Sequence, residues 1–245
     1  MSPRITLSVA LRVLRQLRHD PRTIAMLVVV PCVLLTLLWW MFDGNELVFN
    51  QFGPPLLALF PFIVMFLVTS VTTLRERSSG TLERLLSMPI NKADLLLGYA
   101  LAFGLVALAQ ALVAVGLTVG LLGLDVTGPV WMLTVVAVLD AVLGTALGLF
   151  VSAFAETEFQ AVQFMPAIVL PQVLLCGLFV ARDSLPSVLE AASEVLPLSY
   201  AVEAMQQVQT NSDLTSTLYT DLLVIALFVV AALGLGSATL KRRTA

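Results

Sequence analysis

Six long apolar runs dominate this chain, and only the fourth contains a charged residue. A helix needs about 20 apolar residues to cross the hydrocarbon core of a bilayer. Backbone groups there must be bonded within the segment itself, which leaves helices or closed barrels. The runs cover residues 23–42, about 54–74, a part of 95–124, 130–155, 159–181 and 222–240. Only 12% of the residues are charged, against about 25% in soluble domains. The sequence therefore predicts an all-α membrane protein whose six transmembrane helices lie within residues 23–245.

Residues 1–22 predict an amphipathic helix that precedes the first span. At 100° per residue its basic side chains gather on one side: Arg4, Arg12, Arg15, Arg18, His19 and Arg22. The other side is apolar: Leu7, Val9, Ala10, Val13, Leu14 and Leu17. Such a helix lies in the membrane interface with its arginines toward lipid phosphates. The pair Asp20-Pro21 is expected to break it before the first span.

The distribution of basic residues predicts the orientation of the spans. If the amino terminus is cytoplasmic, residues 1–22, 75–94 and 241–245 lie inside, and they hold all the Lys and Arg except Arg182. Cytoplasmic loops carry such an excess of Lys and Arg. The acidic turn at residues 156–158 would also lie inside and is a minor exception.

The polar stretch of residues 75–94 interrupts the apolar runs and predicts a short helix over residues 81–88. Thr81 can cap this helix, and its leucines (Leu82, Leu85 and Leu86) share one face. Pro89 ends it, and Asn91 with Asp94 predicts a capping box for the next span. A loop between two spans needs only a few residues, so a capped helix here indicates that a partner docks on it.

The segment of residues 182–208 predicts two short amphipathic helices before the last span. Apolar residues recur at helical spacing over residues 185–195 and 199–208, with prolines between them. These helices are expected at the outer membrane surface or dipping into it.

Asp140 is the single charge inside the fourth run. An ionised carboxylate at that depth costs about 2.5–3.5 kcal/mol. It either lines a substrate or proton path, or it is a protonated or hydrogen-bonded group between helices. The candidate partners for such a bond are Gln110, Thr145 and Gln172. Gly144 and Gly148, four residues apart, predict close helix packing.

Several kinds of chemistry have no support in the residues. The two lysines, Lys92 and Lys241, follow Asn and Leu rather than the Gly of a P-loop. There is one histidine, His19, and the two cysteines lie in apolar runs. The sequence therefore predicts no catalysis and no metal site in this chain.

The polar stretch carries the signature of a known family. Residues 77–89, RSSGTLERLLSMP, resemble the cytoplasmic motif E-x-x-x-G-T-L-E-x-L-L-x-x-P of type-2 ATP-binding-cassette (ABC) permeases. The matching residues are Glu76, Gly80, Thr81, Leu82, Glu83, Leu85, Leu86 and Pro89. Residues 196–205, LPLSYAVEAM, are similar to the motif before that family's last span. The resemblance covers nearly the whole chain, and daunorubicin-resistance-type drug exporters are the nearest subgroup.

The resemblance implies that this chain is one membrane half of an exporter in the plasma membrane, expected to be a bacterial inner membrane. A second permease subunit, identical or different, would complete the membrane half. Two separate ATPase subunits would bind ATP and Mg²⁺, and this chain would bind no cofactor. Residues 81–88 would be the coupling helix, and residues 1–22 the interface helix beside it. The expected contacts to the ATPase are Thr81, Leu82, Glu83, Arg84 and Leu86.

Two other hypotheses remain open. A proton-coupled secondary transporter would use Asp140, although no internal repeat supports it. A membrane anchor that recruits a cytoplasmic protein would show no transport. The apolar walls suit a hydrophobic or amphiphilic substrate such as a drug or lipid, and the candidate residues of its path are Gln110, Asp140 and Gln172.

Overall fold

The structure, a computed structural model, describes residues 2–42, 45–80 and 91–239, and these ranges form helices without strands. The helices are α1 (Pro3–Arg18), α2 (Pro21–Met41), α3 (Glu46–Ser78), α4 (Lys92–Gly120), α5 (Val130–Ser152), α6 (Glu158–Leu175), α7 (Ser187–Glu194), α8 (Pro197–Thr210) and α9 (Ser216–Thr239). The predicted helix over residues 81–88, with Thr81, Leu82, Glu83, Arg84 and Leu86, lies outside the described residues.

Six of these helices, α2 to α6 and α9, are long and apolar enough to cross a membrane. This confirms the predicted all-α, six-span architecture. The bundle has two ends. The end where α3 finishes, and where α1 lies, is called the α1 end, and the other is called the opposite end.

Three span boundaries differ from the prediction by six residues or more. One is the start of α9, which lies at Ser216 and not at residue 222. Helix α3 has 33 residues and begins at Glu46, well before residue 54, and it holds three interior prolines. Helix α6 ends at Leu175, six residues before residue 181. Gly177 follows it with a φ of +90°, a left-handed conformation that glycine adopts without steric cost and that stops a helix. Hydropathy did not detect this stop because the residues beyond it are also apolar.

The break between α1 and α2 lies at Asp20-Pro21, as predicted, but α1 already ends at Arg18. The Asp20 carboxylate accepts from the hydroxyl of Thr23 at 2.6 Å and from its N–H at 3.2 Å. Both bonds stabilise the ionised carboxylate and so lower the pKa of Asp20, and the bond from the Thr23 hydroxyl has the larger effect. Pro21 occupies the first turn of α2, where no N–H is needed.

Helix α1 packs its apolar side along the first half of α4. Its buried residues (Val9, Ala10, Val13 and Leu17) share a cluster with Leu95, Leu96, Tyr99 and Phe103 of α4. The contact is close at Gly98, where a Cβ would lie 2.6 Å from the side chain of Val9. The amphipathic pattern is confirmed with one exception, since Leu7 was assigned to the apolar side and is 53% exposed.

Helices α3 and α5 form the centre of the bundle. Their backbones meet where Gly144 faces the carbonyl oxygen of Phe62 and Gly148 faces that of Phe66. The predicted role of these two glycines in close packing is confirmed. Any side chain at either position would overlap the backbone of α3.

The opposite end contains the two predicted short helices, and α8 enters the bundle. Six of its residues are buried in the main core: Leu198, Ala201, Val202, Ala204, Met205 and Val208. The N–H groups of Thr127 and Gly128 donate to the carbonyls of Gln209 and Val208 at 2.9 and 3.0 Å. These bonds hold the end of α8 against the α4–α5 connection.

We expect Gly148→Ala to destabilise the fold by about 1–3 kcal/mol, because overpacking forces helices apart. Its Cβ would lie 2.5 Å from the Phe66 carbonyl oxygen. Thermal unfolding of the purified protein in detergent measures the loss. Gly116→Ala is the matched control, because a Cβ there meets nothing within 4 Å. Equal melting temperatures for the two variants would contradict the α3–α5 contact.

Candidate functional site

The last turn of α3 carries three consecutive charged residues, Arg75, Glu76 and Arg77, which we call the hub. Consecutive residues of a helix point about 100° apart, so each reaches a different neighbour. The chain then leaves α3 through Gly80, whose φ of +72° is the left-handed conformation common after helix ends. The hub therefore overlaps the start of the family signature, most of which lies in the residues that follow.

Glu76 pairs with Arg12 of α1. The carboxylate Oε1 lies 2.7 Å from a guanidinium nitrogen of Arg12, and the side chains are 4% and 31% exposed. This bond corrects the prediction that Arg12 faces lipid phosphates with the other arginines of α1. The helical periodicity placed it on the basic side, but the carboxylate on α3 could not be located from the sequence.

Arg77 binds the end of α5. Its two terminal nitrogens donate to the carbonyl oxygens of Ser152 and Ala155 at 2.8 and 2.6 Å. The last carbonyls of a helix have no partner within it, and a positive charge there also interacts favourably with the negative end of the helix dipole. Arg77 thus fixes the end of α5 to the end of α3.

Arg75 binds the start of α6. It donates two bonds to the Glu158 carboxylate at 2.8 and 3.0 Å. Both side chains are more than half exposed, so the pair adds little stability. It nevertheless gives the hub a contact to a third helix.

The start of α4 is tied to α1 as well. Asp94 accepts a hydrogen bond from the N–H of Ser2 at 3.1 Å, and Asn91 makes no side-chain cap. The predicted capping box of Asn91 and Asp94 is therefore wrong, because the carboxylate serves a distant N–H instead. Helix α1 thus contacts both flanks of the undescribed segment, at Glu76 before it and at Asp94 after it.

The three candidate path residues are all buried within this chain: Gln110, Asp140 and Gln172. Gln172 donates to the carbonyl of Ile168 and accepts from the N–H of Leu198. The Thr145 hydroxyl donates to the carbonyl of Ala141. Among the described residues, neither Asp140 nor Gln110 has a side-chain hydrogen-bond partner.

The proposed bonds of Asp140 to Gln110, Thr145 or Gln172 are therefore wrong. The role of the three residues in a path stays a prediction. Over residues 2–42, 45–80 and 91–239, no group of three or more His, Cys, Asp or Glu side chains could hold a metal ion.

The hub was only partly visible in the sequence. Glu76 belongs to the family motif, but no local pattern in the sequence connects it to Arg12. The same holds for Arg75 with Glu158 and for Arg77 with the end of α5. Their signal was weak but present, since charged residues follow an apolar run in consecutive positions at 75–77.

Comparison with known proteins places these features in a family. The profile of the ABC-2 type transporter family matches residues 6–210. That range includes the hub, the segment after it and both short helices of the opposite end.

Curated relatives agree with this match. The chain is 27% identical over 182 residues to the probable multidrug ABC transporter permease YbhS of Escherichia coli, covering 74% of this chain and 48% of the relative. It is 29% identical over 149 residues to the inner membrane transport permease YhhJ of E. coli, covering 60% and 39%. It is 26% identical over 141 residues to the linearmycin resistance permease protein LnrN of Bacillus subtilis, covering 57% and 36%. The chain thus matches less than half the length of these relatives.

The Arg12–Glu76 pair predicts an asymmetric pair of variants. Arg12→Ala leaves a buried carboxylate without a counter-charge and should cost about 3–5 kcal/mol of unfolding free energy. Glu76→Ala leaves an arginine that still reaches water and should cost only about 1 kcal/mol. Thermal unfolding in detergent measures both.

The double variant Arg12→Ala with Glu76→Ala should recover part of the larger loss, because no buried charge remains. Glu158→Gln, which breaks the exposed pair of the hub, is the matched control. A larger loss for Glu76→Ala than for Arg12→Ala would contradict this account of the ion pair.

Proposed function

The chain belongs to the ABC-2 type transporter family, and from that premise we propose that it is the membrane subunit of an ATP-driven exporter. The family match over residues 6–210 carries this proposal. The six apolar helices make it a multi-pass membrane protein. The substrate would leave the cytoplasm through a membrane half built from this chain and a second permease subunit, identical or different.

In this proposal the ATPase is a separate subunit that holds ATP and Mg²⁺, and this chain does no catalysis. An ABC ATPase is the partner that the family implies. Its docking surface would be residues 81–88, with Glu83 and Arg84 as polar contacts and Leu82 and Leu86 as apolar ones. Thr81 would cap that helix. This geometry requires the α1 end, and with it both termini, to face the cytoplasm, in line with the basic residues concentrated there.

The hub gives a physical route for coupling. Closure of the ATP-bound subunits would displace residues 81–88, and α3 and α4 would move with them because they flank that segment. Glu76 would pass the displacement to α1, Arg77 to the end of α5, and Arg75 to the start of α6. Because the end of α3 is bonded to several helices, its displacement would tilt them together. Without these bonds, the end of α3 would move alone.

The substrate class rests on the relatives and on the composition of the walls. The relatives' names refer to multidrug transport and to linearmycin resistance. The spans of this chain are mostly apolar with few polar groups. We therefore propose a hydrophobic or amphiphilic substrate, such as a drug or a lipid.

Reversal of two charges tests the proposed docking surface. The variant Glu83→Arg with Arg84→Glu should lose the ATPase that co-purifies with the wild-type chain from its native membrane in mild detergent. Like charges would then face each other across the contact. Vanadate-sensitive ATP hydrolysis in the purified fraction measures the loss.

Glu190→Lys with Glu194→Lys at the opposite end is the matched control and should retain the ATPase. Membrane insertion of each variant is checked by the yield of folded chain. Wild-type levels of ATPase in the Glu83 and Arg84 variant would refute the docking surface. Absence of any ATPase from the wild-type preparation would refute the exporter proposal itself.

A further inference from the structure

Asp140, in the middle of α5, is buried and has no hydrogen-bond partner for its side chain among the described residues. The side chain is 0% exposed, and neither oxygen has a donor among the described residues. An ionised carboxylate without donors is costly in a medium of low dielectric, so such a group takes up a proton. The neutral carboxyl then has one O–H to donate, and it needs an acceptor.

The packing of α3 on α5 shows which part of α3 lies beside it. Gly144 faces Phe62 and Gly148 faces Phe66, so contacts advance by four residues on both helices. Asp140 is one turn before Gly144 on the same face. The same register therefore brings Asp140 level with Ala58. The carboxyl group of Asp140 extends beyond its Cβ toward the amino-terminal end of the helix. The carbonyl of Leu57, the residue before Ala58 on α3, is therefore within its reach.

Leu57 has a carbonyl that α3 itself cannot satisfy in the regular way. Its partner in a regular helix would be the N–H of residue 61, and that residue is Pro61. Leu57 and Ala58 are both 0% exposed, so bulk water does not reach this stretch. In membrane helices, carbonyls freed by proline are satisfied by groups on neighbouring helices.

Helix α3 already contains one example of this solution. Pro54 removes the N–H that would bind the carbonyl of Asn50. The side-chain amide of Gln209 on α8 donates to that carbonyl. A side chain from another helix thus supplies the hydrogen bond that Pro54 removes from the carbonyl of Asn50. The carbonyl of Leu57, which Pro61 leaves without its regular partner, lies two turns further along α3.

We propose that Asp140 is a proton-binding site in which the protonated carboxyl donates to the carbonyl of Leu57 freed by Pro61. The O–H of the Asp140 carboxyl and the carbonyl of Leu57 can form this bond only when the proton is present. The bond joins α5 to the kinked turn of α3, one turn from the glycine contact. Asp140 is then a positioning residue for α3, the helix that ends in the hub, and its proton stays bound. This is distinct from a transported proton, and it holds whether or not the chain works with an ATPase.

A double-mutant cycle on thermal unfolding tests the bond. Asp140→Leu should lower the melting temperature by roughly 3–6 °C, because the Leu57 carbonyl loses its donor. Pro61→Ala restores an N–H for that carbonyl. In the Pro61→Ala background, Asp140→Leu should therefore cost much less. Asp140→Asn keeps a donor and should stay close to wild type. Equal losses in the two backgrounds would overturn the proposal.

Infrared spectroscopy gives a second readout that a purely steric role would not change, and it does not require the leucine variant to fold. The wild type should show the C=O stretch of a protonated, hydrogen-bonded carboxyl that Asp140→Asn removes. Pro61→Ala should shift this band to higher frequency, because the acceptor is shared. Gln110→Leu, which changes another buried side chain that has no hydrogen-bond partner among the described residues, should leave the band in place. A missing band, or one that shifts in Gln110→Leu and not in Pro61→Ala, would refute the bond.

Discussion

The ion pair between Arg12 and Glu76 is the interaction on which the α1 end depends. A carboxylate that is almost out of contact with water must keep its counter-charge nearby, and here that charge comes from a helix outside the bundle. The pair therefore fixes where α1 lies. With Val9, Ala10 and Val13 packed along α4, it makes α1 a part of the fold and more than a surface anchor.

In this position α1 contacts both of the helices that flank residues 81–90 in the sequence. The helix before that segment contacts α1 through Glu76, and the helix after it contacts α1 through Asp94. A force applied to the segment would reach α1 from both flanks. The hub adds contacts to α5 and α6. A force on the segment would therefore reach five helices, namely α1, α3, α4, α5 and α6.

Much of the fold could be predicted from the sequence because it follows from local rules. Spans follow from apolar length, and the side of α1 that packs follows from the 3.6-residue period. Close helix packing at Gly144 and Gly148 follows from their spacing, although the partner helix does not. The break at Asp20-Pro21 was also predictable, because an N-capping residue followed by proline marks the start of a helix from two adjacent residues alone.

The candidate site was harder to predict because its bonds join distant residues. Asp94 suited a capping box, yet the N–H of Ser2 is its partner, and no local pattern connects residues 2 and 94. Arg12 lies on the basic side of α1, so only the location of Glu76 distinguishes it from the arginines beside it. Residue types suggested side-chain partners for Asp140, but none of them bonds to it among the described residues. The residues expected to touch an ATPase stay a prediction, since they lie outside the described ranges.

The most direct test of the account is photo-crosslinking in native membranes. A photoreactive amino acid at position 86 should form a covalent adduct with an ABC ATPase, and the yield should change when ATP and vanadate are added. The same probe at position 188, where Val188 is 78% exposed at the opposite end, should form no such adduct. Crosslinks from position 86 to lipid alone, or an ATPase adduct from position 188, would contradict the claim that the segment after the hub receives the force of ATP hydrolysis.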